Sequence, residues 1–225
     1  MIDKTKIPKT MELYENADSI ACDFVLSFEY PWEALAGIGE EIIRIGNTLS
    51  SEKYDLVGEC VWIAKSATVA PTASISGPCI IDENAEIRHC AFIRGKAIVG
   101  KGAVVGNSTE LKNSILFDGV QVPHYNYVGD SILGYKSHMG AGAITSNVKS
   151  DKSRVVIKSG EEQIATGLKK CGAFLGDFVE VGCGSVLNPG TVIGKDSCVY
   201  PLSSVRGVVA PFNIYKNCGE IVKRK

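Results

Sequence analysis

The stretch IAKSATVAPTASISGPCIIDENAEIRHCAFIRGKAIVGKGAVVGNSTEL, residues 63–111, carries an aliphatic side chain at every sixth position: Ile63, Val69, Ile75, Ile81, Ile87, Ile93, Val99, Val105 and Leu111. Four residues after each of the first eight stands a small one: Ala67, Ala73, Cys79, Ala85, Ala91, Ala97, Ala103 and Thr109. A six-residue period fits neither the 3.6-residue turn of a helix nor simple two-residue alternation. It suits short strands joined by corners, so that three hexads close a triangular coil of 18 residues and the coils stack into a prism. The aliphatic residue points inward onto its counterpart in the next coil, and the small one stands where the prism narrows. Near residue 116 the beat slips by one, giving inward Leu116, Val122 and Val128; it returns at Leu175, Val181, Leu187, Ile193, Val199 and Val205. The predicted fold is all-β, a parallel β-helix of hexapeptide repeats over residues 57–210.

The flanks follow other rules. In residues 1–56, Pro31 precedes Leu35, Ile38, Ile42, Ile45 and Leu49, an apolar stripe that predicts an amphipathic helix over 31–49, placed as a cap on the open N-terminal end of the prism. Residues 148–170 interrupt the beat, with RVVIK and QIATG flanking Ser159-Gly160, which reads as a protruding hairpin or loop able to reach a neighbouring subunit. Residues 211–225 form a tail ending in basic VKRK. With 24 Lys+Arg against 25 Asp+Glu there is no basic footprint for nucleic acid. The charged start MIDKTKIPKT and the lack of a long apolar run point to a soluble, cytoplasmic protein without a signal peptide or membrane span. The eight scattered cysteines, without CxxC pairs, read as reduced thiols.

The repeat also serves as a ruler. Residues 18 apart lie on adjacent rungs about 4.8 Å apart. Arg94 and Lys112 therefore stack on one outward face, where two cations can share a phosphate. Counting from the inward positions puts His89, Asn107 and His124 in one column, the two histidines about 9.6 Å apart and too distant to share a metal within a chain. Tyr127 falls near the same coil edge. An imidazole beside a cationic anion site suits a general base.

The blocks N-x-x-E-x-K-x-S at Asn107–Ser114, H-x-x-Y-x-G-D at His124–Asp130 and G-A-G-x-I-T-x-N at Gly140–Asn147 resemble, in motif and spacing, the acetyltransferase domain of the bifunctional N-acetylglucosamine-1-phosphate uridylyltransferase/glucosamine-1-phosphate N-acetyltransferase. The resemblance covers residues 60–210 and is strongest over 88–148. It implies a left-handed helix, a homotrimer with the donor lying between subunits, and acetyl-CoA as cosubstrate, with no metal required. By motif it makes His124 the catalytic base. Arg94, Lys112, Tyr127, His138 and Lys152 become sugar-phosphate contacts, and Ala141, Asn147, Cys183 and Arg206 contacts to acyl-CoA, with a backbone N–H between Gly140 and Asn147 stabilising the thioester oxyanion.

Departures from that pattern are specific. His138 stands where the family has asparagine, Val148 where it has tyrosine and Cys183 where it has serine, and Asn147-Val148-Lys149-Ser150 replaces N-Y-D-G. The nucleotide loop L-x-A-G-x-G-T-R-M is missing, so no uridylyltransferase activity is expected. The resulting expectation is an acetyltransferase acting on an amino-sugar phosphate. The competing expectations are a non-catalytic sugar-nucleotide-binding or scaffold relative, and a zinc hydratase of the gamma carbonic anhydrase type built from His89, His124 and His138.

Overall fold

A computed structural model describes residues 6–15 and 19–224, with the side chain of Cys218 outside that set. The first five residues of the charged N-terminal stretch and Lys225 of the basic tail are likewise outside it. The prism has three faces of stacked parallel strands. The first stacks residues 61–64, 79–81, 97–99, 114–116, 131–133, 173–175, 191–193 and 208–209. The second stacks 68–69, 86–87, 104–107, 121–124, 138–139, 180–181, 198–199 and 213–215, and the third 74–75, 92–93, 110–112, 127–129, 144–145, 186–187 and 204–205. The chain is thus a parallel β-helix. Inward Ile81, Ile87, Ile93, Val99, Val105 and Leu111 are at most 1% exposed, as are the small residues Ala85, Ala91, Ala97, Ala103 and Thr109 between them.

The register slips twice. Leu111 pairs with Val128 and Leu116 with Leu133, 17 residues apart, because the strands 110–116 and 127–133 each pass from the third face to the first around a corner one residue shorter. Asn113 and Asp130 turn those corners at φ 50° and 49°. The second slip, between Val128 and Leu133, places Met139 and Thr145 inward, which counting from Val128 alone does not anticipate.

The N-terminal segment lies along the first face and not over the open end. It comprises α1 (Thr10–Leu13), α2 (Cys22–Leu26), a 3-10 helix (Pro31–Ala36) and α3 (Ile38–Gly46). The single helix expected over 31–49 is broken at Gly37, whose N–H closes the 3-10 helix on Ala34 and whose carbonyl opens α3 with Glu41. The Phe24 ring lies 3.1 Å from where a Cβ at Gly37 would stand, so a larger residue at the joint would have to shift that ring. The reason for this placement is the outer surface of the first face. Ile80, Ile98, Ile115, Ile132, Phe174 and Val192 point outward there, yet all are 0% exposed. The apolar stripe of α3 packs on strands 79–81, 97–99 and 110–116, and Trp32 meets Phe174 edge-on at 6.0 Å. The open end is left to the strand Tyr54–Gly58, antiparallel to 61–64, and Ile63, Val69 and Ile75 remain partly exposed.

The 148–170 segment contains the expected hairpin, Val156–Ser159 against Glu162–Ala165. It does not protrude. Val155 and Ile157 are at most 1% exposed and press against Gly190, a position at φ +78° where an added Cβ would stand 2.7 Å from Val155. The hairpin thus shares the cover of the first face with the N-terminal segment, and the two meet where the Ile7 N–H donates to Glu162 at 2.8 Å. Within the tail, Asn213–Tyr215 forms the last rung of the second face and Ile221–Lys223 pairs antiparallel to it. Cys60, Cys79, Cys90, Cys171, Cys183 and Cys198 are free thiols, and burial pushes Cys79 up to about 12.

One corner carries a carboxyl at a cost. Burial, with the Asp82 carboxylate nearby, raises the pKa of Asp118, whose Oδ1 accepts the Lys101 N–H at 3.0 Å. A folded-state pKa above the unfolded value means that stability falls as pH rises from about 4 through the raised value. Asp118→Asn keeps the acceptor and removes the charge. Its Tm at pH 7 should exceed that of wild type. Denaturation below the ordinary carboxylate pKa should show no difference; a lower Tm at pH 7 would refute the assignment.

Candidate active site

The third face links two corners that carry the chemistry. At the corner between the second and third faces, His124 pairs in register with Asn107, whose Nδ2 donates to the His89 carbonyl at 3.1 Å, so the column counted from the sequence is present. Register carries it upward: Gln121 pairs with His138 and His138 with Glu180, which sets Ala141 above His124 and Cys183 above Ala141. His124 is exposed because it lies two residues beyond inward Val122, and its ring has no hydrogen-bond partner among the described residues. The backbone around Gly140–Asn147 is mostly spent. Gly140, Gly142, Ala143, Ile144 and Ser146 donate to Val181, His124, Gly140, Ser185 and Leu187, whereas the Ala141 N–H has no acceptor among the described residues.

At the opposite corner, between the third and first faces, lies a cavity of about 450 Å³ lined by Arg94, Lys96, Lys112, Asn113, Asp130 and Lys170, with Leu35 and Ala36 of the 3-10 helix as an apolar wall. Arg94 and Lys112 are neighbours, since Ile93 pairs with Leu111 and the Arg94 N–H bonds the Leu111 carbonyl. They are not bare cations. Arg94 bonds Glu110, which flanks inward Leu111, at 2.7 Å, and Lys112 bonds Asp130, at the following corner, at 2.8 Å.

Asp130 is the hub of this corner. It is 3% exposed; Oδ1 accepts from Lys112 and from Asn113 at 2.9 Å, and Oδ2 accepts from Asn147 at 2.6 Å. The Asn147 amide also donates to the Tyr127 hydroxyl at 3.2 Å, which puts Asn147 with the expected sugar-phosphate residues and away from the Ala141–Cys183 column. Burial, then the charges of Asp130 and Glu110, raises the pKa of Tyr127 and keeps its phenol neutral.

Three expected site residues lie elsewhere. His138 is on the second face, bonded through Nδ1 to Glu180 at 2.8 Å, and within one chain it does not face the Arg94–Lys112 pair. Lys152 is exposed in the insertion and does not line the cavity; Lys170 does. The cause is the Cys171 N–H bond to the Asn147 carbonyl at 2.9 Å, which closes the insertion and delivers the residue just before coil resumption to the corner. Arg206 shares the lane of Arg94 and Lys112 through Gly129, Ser146 and Asn188, four rungs or about 19 Å from Lys112. There it bonds Asn188 Oδ1 at 3.1 Å and lines a separate hollow of about 250 Å³ with Val148 and Lys149. Lys96, Asn113, Asp130 and Lys170 were not singled out by sequence, although the 17-residue offset between Asn113 and Asp130 marks the two short corners. As for a metal, among the described residues no three His, Cys, Asp or Glu side chains converge.

The profile of the GMPPB C-terminal domain matches residues 75–196, more than half of the chain. The chain belongs to the GMPPB C-terminal domain family. The match to this family takes in both corners of the third face from Ile75 to Val186 and leaves the N-terminal cover and Arg206 outside. The chain is also 32% identical over 223 residues to a bifunctional sugar-1-phosphate nucleotidylyltransferase/acetyltransferase of Sulfurisphaera tokodaii, with 89% of this chain and 54% of the relative covered. It is 31% identical over 172 residues to a bifunctional protein GlmU of Methanococcus maripaludis, covering 76% and 42%. The chain thus spans about half the length of these relatives. Among solved structures, a hexapeptide transferase family protein from Anaplasma phagocytophilum aligns with a TM-score of 0.41 and 16% identity over 72% of this chain and 79% of that one. No helix among the described residues is long and apolar enough to cross a membrane.

Proposed function

We propose that the protein is an N-acetyltransferase that moves the acetyl group of acetyl-CoA to the amine of a sugar phosphate such as glucosamine-1-phosphate. The observation that carries this reading is the third face itself: it has a solvent-facing imidazole at one corner, an unspent N–H one rung above it, and a cation-lined cavity at the other corner. The acceptor's phosphate enters the cavity, where Arg94 and Lys112 donate hydrogen bonds and Lys170 adds charge. The amine attacks the thioester carbonyl carbon; a C–N bond forms and negative charge collects on the carbonyl oxygen, facing the Ala141 N–H. His124 takes the proton from nitrogen as the C–S bond breaks, the electron pair leaves on sulfur, and the proton passes on to the coenzyme A thiolate. Arg206, in its separate hollow on the same face, is read as a contact to the donor's phosphates. In this reading a second prism completes the donor site beside the His124–Ala141–Cys183 column, in the homotrimer that the family resemblance implies.

The test is release of free coenzyme A thiol from acetyl-CoA by purified protein with glucosamine-1-phosphate, beside light scattering for the trimer. Turnover that requires the phosphorylated amine is the expected result. No turnover with any acyl-CoA and amino-sugar phosphate would hand the chain to the second reading, a non-catalytic sugar-nucleotide-binding relative, favoured by Val148 and His138 standing where the family pattern has tyrosine and asparagine.

A further inference from the structure

We propose that Lys96, seated on Gly39 of α3, determines specificity for a dianionic phosphoryl group in the cation-lined cavity; this rests on reading that cavity as the acceptor site. Charge is the first argument. Arg94 and Lys112 are each matched by a carboxylate, so they offer directed hydrogen bonds and little net charge. Lys96 and Lys170 line the same cavity and have no ion pair among the described residues. Two unmatched ammonium groups balance a phosphomonoester, which carries about −1.5 to −2 at neutral pH. A carboxylate or a neutral sugar would leave them uncompensated.

Placement is the second argument. Lys96 pairs in register with Asn113 and Asn113 with Asp130, so it stands in the corner lane two rungs below the hub that positions Lys112. Its backbone turns the same kind of corner, at φ 51°. The stem is not loose. A Cβ on Gly39 would lie 3.2 Å from Lys96 Cε and 3.4 Å from Cδ and Cγ, so the lysine runs along a groove that exists because α3 carries glycine there. Glycine weakens a helix relative to alanine. Its position beneath a lysine stem gives it a packing reason, and a stem already held loses less freedom when the ammonium engages a ligand.

The experiment is calorimetric titration of glucosamine-1-phosphate and, separately, inorganic phosphate into wild type, Lys96→Gln and Gly39→Ala. Lys96→Gln should weaken both by about tenfold, the scale of one charge-assisted hydrogen bond. Gly39→Ala should weaken both by a smaller factor without lowering Tm, since alanine favours α3 while displacing the lysine. Wild-type affinity for both anions in Lys96→Gln overturns the assignment, as does failure of both anions to bind wild type. If phosphate binds in a Lys96-dependent manner and glucosamine-1-phosphate does not bind, the sugar-phosphate reading falls and Lys96 stands.

Discussion

His124→Ala is expected to lower acyl transfer by about a hundredfold or more, the usual contribution of a positioned general base, with small changes in KM for either substrate. The expected effect is confined to turnover because of where the residue sits. Val122, two residues earlier, is buried in the prism, whereas His124 is exposed. Its backbone stays tied through the Gly142 N–H to the His124 carbonyl at 3.0 Å, a bond that alanine retains. Thermal denaturation should therefore superimpose on wild type. Unchanged transfer in the variant would sink the base assignment and move attention to His138, which a neighbouring prism would have to present.

The largest loss of stability is expected at Asp130. Asp130→Ala leaves Lys112, Asn113 and Asn147 without the acceptor they share. Breaking a buried pair from one side typically costs about 3–5 kcal/mol. A non-glycine residue at φ 49° adds strain that alanine, without a side-chain oxygen to bond locally, relieves less well than aspartate. At about 2–4 °C per kcal/mol the Tm should fall by roughly 6–20 °C. Acceptor binding should fall with it, because Lys112 and Asn147 lose their common anchor. A Tm within about 2 °C of wild type would show that the three donors find water and that Asp130 is not the hub.

Much of this was legible because a hexapeptide coil imposes one rule on every side: the inward residue is aliphatic whatever lies outside. Ile63 to Leu111 announce it, and the ruler they provide put Arg94 beside Lys112 and His124 in line with His89. The outer cover was missed because its signal has period 18 hidden inside period 6. The residue just before the inward one is apolar and buried on the first face at Trp62, Ile80, Ile98, Ile115, Ile132, Phe174 and Val192, whereas on the other faces it is apolar only at some rungs, and there Phe92, Val104, Ile144 and Val186 are not buried. Read that way, the stripe from Leu35 to Ile45 has a partner along the prism and no need of its open end. The ruler also fails across an insertion. Lys152 is nearer in sequence to Asn147, yet the Asn147–Cys171 bond makes Lys170 nearer in space. The paired acids Glu110 and Asp130 lay inside the quoted motifs, but only register shows that they face the cations.

The cover on the first face sets an order in time. The Ile7 N–H meets Glu162, and the Glu15 N–H meets Asp177 at 2.8 Å, contacts spanning 155 and 162 residues of chain. On a ribosome adding about 5–20 residues per second, residues 6–15 wait roughly 10–30 s for these partners to be made. During that wait each new coil adds another outward apolar residue to a surface whose cover is only partly docked. The apolar strip stays partly open meanwhile, and the protein is exposed to self-association until residues 6–15 have found Glu162 and Asp177.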